Sequence, residues 1–298
     1  MKKVFLIISI VLLLGLSWYL FLKPQDYRIS FKANSIPGTI NQTLKLWNGT
    51  FENNASLTQN GTLNHLTQLI PINDSSTHQY DWFIEATSDS TSTVKVDVKD
   101  LNNSLMNKIR IPFSDTDFEK NSRKMVTDFA KKLKEHQDRI KITITGKDEL
   151  SSTYCACVSL KSSQIAKAGE MMNNQPFLSS VISQNNISLN GVPFIHVTNW
   201  DIQNDSIAYD FCFPIVKPDS LPYIKGVEFK TFQGQKALKA IYNGNYITSD
   251  RAWYALLDYA QSNSIDIKKE PIEFFFSNPS MGDDELRWKA EIFMPLKN

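Results

Sequence analysis

Three carboxylates lie in strand-like segments among aromatic residues, where they could bind a cationic or hydrogen-bonding group: Asp210, Glu273 and Glu291. Glu291 belongs to "ELRWKAEIFMPL", in which apolar and polar residues alternate. We expect Glu291 to orient a ligand. The alternative is a solvated strand carboxylate that pairs with Lys289 or Arg287.

The other two carboxylates follow from the pattern around Glu291. "SIAYDFCFPI" is a weaker copy of the terminal strand, with Pro214 standing 81 residues before Pro295. Aligning these prolines places Asp210 opposite Glu291, so two related carboxylates could converge on one groove. Glu273 stands in "PIEFFF" and is either exposed at a sheet edge or buried for a purpose.

Aromatic side chains accompany these carboxylates and could bind a ligand by apolar contact. The alternative for each of them is ordinary core packing. The candidate ligand-binding positions are Tyr154, Phe194, Tyr209, Tyr242, Trp253 and Phe275.

Other chemistries have no motif in this sequence. It lacks a GxSxG elbow, an HExxH pair, a glycine-rich phosphate loop and zinc-type Cys/His spacing, so neither a metal nor a cofactor is expected. Cys155, Cys157 and Cys212 are too few for a disulfide framework, and the CxC pair reads as small strand residues rather than metal ligands. The net charge of +1 gives no footprint for nucleic acid.

The N-terminus predicts a membrane anchor. Lys2 and Lys3 precede 19 uncharged residues, Val4 to Leu22, which as a helix would reach about 28 Å, close to the hydrocarbon thickness of a bilayer. A cleaved signal peptide is the competing interpretation. The positive flank predicts a single-pass topology with a cytoplasmic N-terminus and the bulk of the chain outside the cytoplasm.

Residues 25–145 are expected to form the first domain, an antiparallel sheet with helices. A strand at Asp26–Ala33 is followed by a short helix, four strand-like runs and a long helix to about Gln137. This order resembles the helix-grip fold of the SRPBCC superfamily, which includes START and polyketide-cyclase-like proteins. The resemblance implies a curved sheet around the last helix, with a cavity between them or a solid core, and no catalytic motif.

The polar segment Thr145–Ser152 is predicted to be the junction with a second domain at residues 150–298. This domain is predicted to contain the order strand, helix, strand, strand twice. Such a doubled unit is expected to pack about a pseudo-twofold axis, which makes the whole chain an α+β protein.

The second domain also resembles a known family. "YNGNY", the helix containing Trp253, "EPIEFFFSNP" and "AEIFMPL" resemble the motifs of GyrI-like small-molecule-binding domains, also called bacterial transcription-activator effector-binding domains. Tyr242 stands for a His of the family pattern, Asn245 for a Pro and Ala290 for a Thr. The resemblance implies an aromatic groove between two halves, with an acidic residue facing the ligand.

These observations favour a membrane-anchored binding protein for a small lipophilic or cationic molecule over an enzyme. The first alternative is a GyrI-like hydrolase of small lipophilic electrophiles, in which Glu291 or Glu273 acts as base beside a tyrosine. The second is a structural or interaction module whose cavities are filled by side chains. No helix-turn-helix precedes the second domain, so a role in transcription does not follow from the resemblance.

Overall fold

The computed structural model of the protein describes residues 2–52, 54–73, 75–279, 282 and 284–297. Contacts divide the chain into two compact units, Met1–Lys134 and Glu135–Asn298. The chain is a mixed α+β protein with an N-terminal apolar helix and one antiparallel sheet in each unit.

The N-terminal helix α1 (Lys2–Ser17) continues into a π-helical turn, Trp18–Leu22. The 21 residues have a mean hydropathy of 2.6 over their most apolar window, and none of that window is buried. By length and composition this helix can cross a membrane, a test that a signal sequence also passes.

The rest of the first unit is a meander closed by a long helix. β5 alternates buried valines with polar residues, because its side chains point to opposite sides of the sheet. The strand order is β1-β5-β4-β3-β2, antiparallel throughout. The elements are β1 (Tyr27–Ala33), α2 (Pro37–Asn48), β2 (Ser56–Gln59), β3 (His65–Asn73), β4 (Ser76–Ser88), β5 (Thr91–Asp100), α3 (Ser104–Arg110) and α4 (Asp117–Gln137).

Helix α4 covers the buried face of this sheet. Phe118, Phe129 and Leu133 join the sheet's valines in one core, and the ring of Phe129 lies 4.9 Å from that of Trp82. This order agrees with the expected one except at two places: the fourth strand-like run, Asn107–Phe113, is the end of helix α3 and a turn, and β2 supplies the fourth strand instead. Membership of the SRPBCC superfamily remains a prediction.

The second unit contains one eight-stranded antiparallel sheet with the order β10-β7-β9-β8-β12-β13-β11-β6. Its elements are β6 (Lys141–Leu150), β7 (Thr153–Ser163), α5 (Lys167–Gln184), β8 (Phe194–Asp201), β9 (Ser206–Pro214), β10 (Glu228–Phe232), β11 (Gln235–Asn243), a 3₁₀ turn (Tyr246–Thr248), α6 (Arg251–Ser262), β12 (Ile272–Phe275), a second 3₁₀ turn (Glu285–Arg287) and β13 (Lys289–Pro295).

The two halves of this sheet have the same registers. Over the shared length of the strands, residue pairs in the first half have counterparts at equivalent places in the second half, which is what a pseudo-twofold arrangement requires. Origin by duplication remains a prediction that this correspondence supports. Three matched pairs are Phe194–Cys212 with Ile272–Phe293, Cys157–Cys212 with Lys239–Phe293, and Leu189–Ile215 with Ile267–Leu296.

The expected junction at Thr145–Ser152 is instead mostly strand β6, which pairs with β11 in the second sheet. The units divide between Lys134 and Glu135, before this segment. Its exposed side chains are polar because β6 is an edge strand, and this polarity imitates a turn. Cleavage in this segment would therefore cut the second sheet rather than separate two domains.

The sheet curls because two long segments of the chain, β6–β7 and β10–β11, cross each other. β6 continues into β7 and β10 into β11, although β6 and β10 lie at opposite edges of the sheet. Gly234 sits at the crossing, where an added Cβ would lie 2.4 Å from the carbonyl oxygen of Leu150 and 2.7 Å from the nitrogen of Ser152. Only glycine fits so close an approach of two backbones.

The curled sheet has two faces, which we call the helix face and the inner face. The helix face carries Glu273 and Phe275, and α5 and α6 pack against it. The inner face carries Phe274, which lies opposite Glu291 in the register. Its core consists of Leu150, Cys155, Cys157, Phe194, Cys212, Phe232, Ala237, Ile272 and Phe293.

The cysteines correct the expectation from sequence. Cys157 and Cys212 face each other across β7 and β9 and form a disulfide bond in the inner core. Cys155 is buried as a free thiol, and burial raises its pKa to about 11. The pair was not recognised because 55 residues separate the two cysteines and only the register brings them together.

Candidate functional site

A cavity of about 520 Å³ opens on the helix face of the second sheet. It lies between α5, the end of β9 and the segment that follows β12. This volume is within the range of small-molecule sites in proteins. The cavity is lined by Ala168, Met171, Met172, Gln175, Ser179, Leu189, Val192, Pro193, Phe211, Phe213, Asn245, Tyr246, Ile247, Phe275, Phe276, Ser277, Asn278, Pro279 and Trp288.

Strand alternation supplies one wall of this cavity. Phe211 and Phe213 are two residues apart on β9, so both point to the helix face. Phe275 at the end of β12 supplies a second wall, and its ring lies 5.0 Å from that of Tyr246. The described lining residues include no Asp, Glu, Lys or Arg, so the cavity suits a neutral apolar molecule.

Tyr246 is held in place by its hydroxyl group. The hydroxyl donates to the carbonyl oxygen of Lys289 at 2.8 Å and accepts from the backbone nitrogen of Ser277 at 3.0 Å. Burial raises the pKa of Tyr246 above its ordinary value, so the ring stays neutral at physiological pH. The side chain therefore forms a rigid wall with its polar end already satisfied.

A buried ion pair lies beside the cavity. The ammonium group of Lys167 donates to both carboxylate oxygens of Glu273, at 2.8 and 2.9 Å, and both side chains are fully buried. Ser249 donates to the same carboxylate at 2.9 Å, and the ring of Trp253 lies 4.6 Å below the ammonium group. The sequence left open whether Glu273 is exposed at a sheet edge or buried, and the structure shows that it is buried.

This ion pair adjoins the cavity, because Ala168, which follows Lys167, and Phe275, two residues after Glu273 on the same face of β12, both line it. Because each charge is compensated by the other, the pair presents no net charge to a molecule in the cavity. It fixes the start of α5 against β12, which positions the two sides of the cavity.

Glu291 lies on the inner face, away from the cavity. Its carboxylate binds Lys289 at 2.7 Å and Lys239 at 3.1 Å, which matches the alternative of a paired strand carboxylate. Burial tends to raise its pKa, but hydrogen bonds from the two lysines outweigh burial and lower the pKa below its ordinary value.

Asp210 occupies the corresponding place in the first half, as the alignment of Pro214 with Pro295 predicts. It also lies on the inner face, where it accepts from Ser159 at 2.6 Å and Lys230 at 2.8 Å. The two carboxylates are therefore equivalent in position, and each is neutralised by lysine. Neither of them lines the cavity.

Of the predicted aromatic residues, only Phe275 lines the cavity. Tyr209 on β9, Tyr242 on β11 and Trp253 on α6 are buried in the second unit and do not line the cavity. Phe194 stacks on Phe274 in the inner core, with ring centroids 4.9 Å apart.

Tyr154 lies half-buried on β7, and the ammonium group of Lys217 sits 5.4 Å from the centroid of its ring. It also stands outside the cavity lining.

No general base faces the cavity among the described residues. Both oxygens of Glu273 accept from Lys167, and Glu291 is ion-paired with a lowered pKa, whereas a catalytic base at a carboxyl group needs a raised one. The geometry therefore gives the hydrolase alternative no support. No group of three or more His, Cys, Asp or Glu residues that could hold a metal occurs in the described part of the chain.

Several cavity residues were missed in the sequence. The alternation in "SIAYDFCFPI" places Phe211 and Phe213 on one face, so this signal could have identified them. Lys167 had no such signal, because a lysine near the start of a helix normally reads as a solvated surface residue.

Comparisons with known proteins bear on the second unit. No curated protein sequence is significantly similar to the chain. Similar solved structures include the C-terminal domain of EcmrR, with 14% identity, a TM-score of 0.45, and coverage of 53% of this chain and 98% of that one.

Two further structures are SAV2435 bound to tetraphenylphosphonium (15% identity, TM-score 0.36, 52% of this chain and 94% of that one) and a hydrolase from Listeria innocua (11%, 0.33, 55% and 98%). Scores this low support no conclusion about the ligand or activity of this chain.

A sequence profile gives the clearer result. Residues 171–297 match the family described as GyrI-like small molecule binding domain. This span contains both inner carboxylates and nearly all of the cavity lining. The match therefore supports a GyrI-like small-molecule-binding domain at residues 171–297.

Proposed function

We propose that this protein binds a small, neutral, lipophilic molecule in the helix-face cavity and is held at a membrane by α1. The observation that carries this proposal is the cavity itself, with its volume of about 520 Å³ and its uncharged aromatic lining. Affinity would come from apolar burial against Phe211, Phe213 and Phe275, and specificity from the polar side chains at the rim.

The disulfide bond supports a location of the binding domain outside the cytoplasm. Disulfide bonds such as Cys157–Cys212 persist mainly in oxidising compartments, outside the cytoplasm. This agrees with the positive residues before α1, which favour a cytoplasmic N-terminus. The proposed topology is a single-pass anchor with both units outside the cytoplasm.

A pair of matched substitutions on α5 tests the site. Ser179→Phe places a ring in the cavity, whereas Ser183→Phe makes the same change on the same helix at a position that does not line it. The full chain in nanodiscs would be titrated with the neutral dye N-phenyl-1-naphthylamine, with empty nanodiscs as background. We expect Ser179→Phe to weaken binding roughly tenfold or more, or by about 1.4 kcal/mol, and Ser183→Phe to leave it unchanged.

A cationic probe separates this site from the inner face. Tetraphenylphosphonium should bind more weakly than the neutral dye, because the lining carries no carboxylate to offset the ligand's desolvation. Glu291→Gln should not change either affinity. If Glu291→Gln weakens cation binding while Ser179→Phe has no effect on either probe, the ligand binds at the inner face and the cavity assignment is wrong.

A further inference from the structure

An unusual group of exposed apolar side chains occurs in the first unit, in and around α3. Five of them are between 44% and 88% exposed, and Phe113 is the most exposed. Such a cluster on a short segment marks an interaction surface rather than chance exposure. We call this cluster the α3 surface; it consists of Leu101, Leu105, Met106, Ile109 and Phe113.

The α3 surface is attached to the end of α1. The buried ammonium group of Lys108, on α3, donates to the carbonyl oxygens of Leu20 and Lys23. The hydroxyl group of Tyr19 donates to the carbonyl oxygen of Lys108 at 3.2 Å. Asp26 lies 4.0 Å from the same ammonium group, so the charge of Lys108 is compensated at this junction. These bonds fix α3 beside the π-helical turn, Trp18–Leu22, that continues α1.

This attachment sets the depth of α3 relative to a bilayer. The uncharged run, Val4 to Leu22, comprises most of α1 and the π-helical turn. Its length of about 28 Å spans roughly one hydrocarbon core. Trp18 and Tyr19 therefore lie at the membrane–water boundary, where aromatic side chains are favoured. Since α3 is bonded to this turn, its exposed apolar side chains lie at the same level.

We propose that the α3 surface is a second membrane contact, inserted at the boundary between headgroups and acyl chains. This proposal rests on the anchoring by α1 proposed above. The occupant is lipid because the surface is continuous with the apolar helix that the bilayer must cover. Two contacts would fix the orientation of the first unit on the membrane, whereas a single helix leaves it free to tilt.

Lipid quenching of a site-specific probe tests this surface. Phe113→Cys would be labelled with the fluorophore NBD in the full chain, reconstituted into phosphatidylcholine vesicles containing lipids with a nitroxide near the headgroup. The new thiol is labelled selectively, because Cys155 is buried and the other two cysteines form a disulfide bond.

The matched control is Ser90→Cys. This residue precedes β5, whose ten residues separate it from the α3 surface by about 30 Å. We expect the probe at 113 to be quenched roughly threefold more than the probe at 90, since interfacial side chains enter about 5–10 Å into the headgroup boundary. Leu105→Asn combined with Ile109→Asn should reduce the quenching at 113 and leave that at 90 unchanged.

Extraction with alkaline carbonate distinguishes the failures. Protein that resists extraction, yet shows equally weak quenching at both positions, would overturn the α3 contact while leaving the anchor intact. Release by carbonate would overturn the anchor and the α3 contact together. The proposal of ligand binding in the cavity is tested separately, by the dye titration described above. Self-quenching at 113 that grows with the labelled fraction and ignores the nitroxide lipid would overturn the proposal in favour of a second copy of the chain.

Discussion

Removing one partner of the buried pair between Lys167 and Glu273 should strongly destabilise the second unit. Glu273→Gln keeps the shape of the side chain but leaves the ammonium group of Lys167 without a counter-charge. Lys167→Met keeps the apolar stem and leaves the carboxylate with Ser249 as its remaining donor. The double variant removes both charges and therefore removes the mismatch.

The magnitude follows from the burial and the distance. At 2.8 Å, with an effective dielectric constant of about 20, the attraction between the two charges is about 6 kcal/mol. Desolvation offsets much of this gain, so the intact pair contributes little net stability. Removing one partner leaves the other charge buried without compensation for its desolvation. We therefore expect the free energy of unfolding of each single variant to fall by about 3–5 kcal/mol. The double variant should lose no more than about 2 kcal/mol, a coupling of at least about 4 kcal/mol.

Urea unfolding monitored by hydrogen exchange provides the assay. Mass spectrometry of peptides from α5 and β12 reports on the second unit, while peptides from β4 and β5 report on the first unit as an internal control. The four proteins of the cycle are compared in the same detergent. Only the peptides of the second unit should shift.

The outcome that contradicts this reasoning is additivity. If each single variant costs less than about 1 kcal/mol and the double variant costs their sum, the two charges do not interact and are solvated. The description of a fully buried pair would then be wrong, and so would its role in fixing the start of α5 against β12.

Three further outcomes are expected. Gly234→Ala should destabilise the second unit by about 1–3 kcal/mol, because the added Cβ would lie 2.4 Å from a backbone oxygen. Gly169→Ala, whose added Cβ would have no atom within 4 Å, should not destabilise it, and thermal unfolding of the two variants measures the difference. Replacing Cys157 and Cys212 by Ala should lower the free energy of unfolding by about 4 kcal/mol, given the separation of 55 residues, as urea titration would show. Burial and the charge of a nearby arginine lower the pKa of His136 from 6.5 to about 4, so unfolding takes up a proton below pH 6.5. The contribution of His136 to stability should therefore be constant above pH 6.5 and fall by up to about 3 kcal/mol towards pH 4, and His136→Gln should remove this part of the pH dependence.

Most elements were predictable, because their buried residues recur with the period of a helix or a strand, but the run expected as a fourth strand forms part of helix α3. In α4, Phe118, Ser122, Phe129 and Leu133 recur at helical spacing in the sequence, and all four are buried. The alternation of β13 likewise placed Glu291 and Phe293 on the same face, as the register shows. Strand β6 was missed because edge strands carry polar side chains, and propensity alone cannot separate them from turns.

The site was less predictable than the elements. A carboxylate in an aromatic strand shows that something must compensate it, but not which residue does so. Lys239 and Lys289 form ion pairs with Glu291. Lys167 forms the ion pair with Glu273, although it lies on a helix more than 100 residues earlier in the sequence. The cavity likewise depends on how α5 rests on the sheet, which no local pattern encodes.

The crossing at Gly234 has a consequence for how the second unit can be divided. The first strand of each half pairs with the opposite half, since β6 pairs with β11 and β10 pairs with β7. Neither half can complete its own hydrogen bonding alone. A half-length polypeptide could form this sheet only by exchanging strands with another molecule of itself, as in an intertwined dimer. In this protein the two halves that exchange strands are covalently joined in one chain.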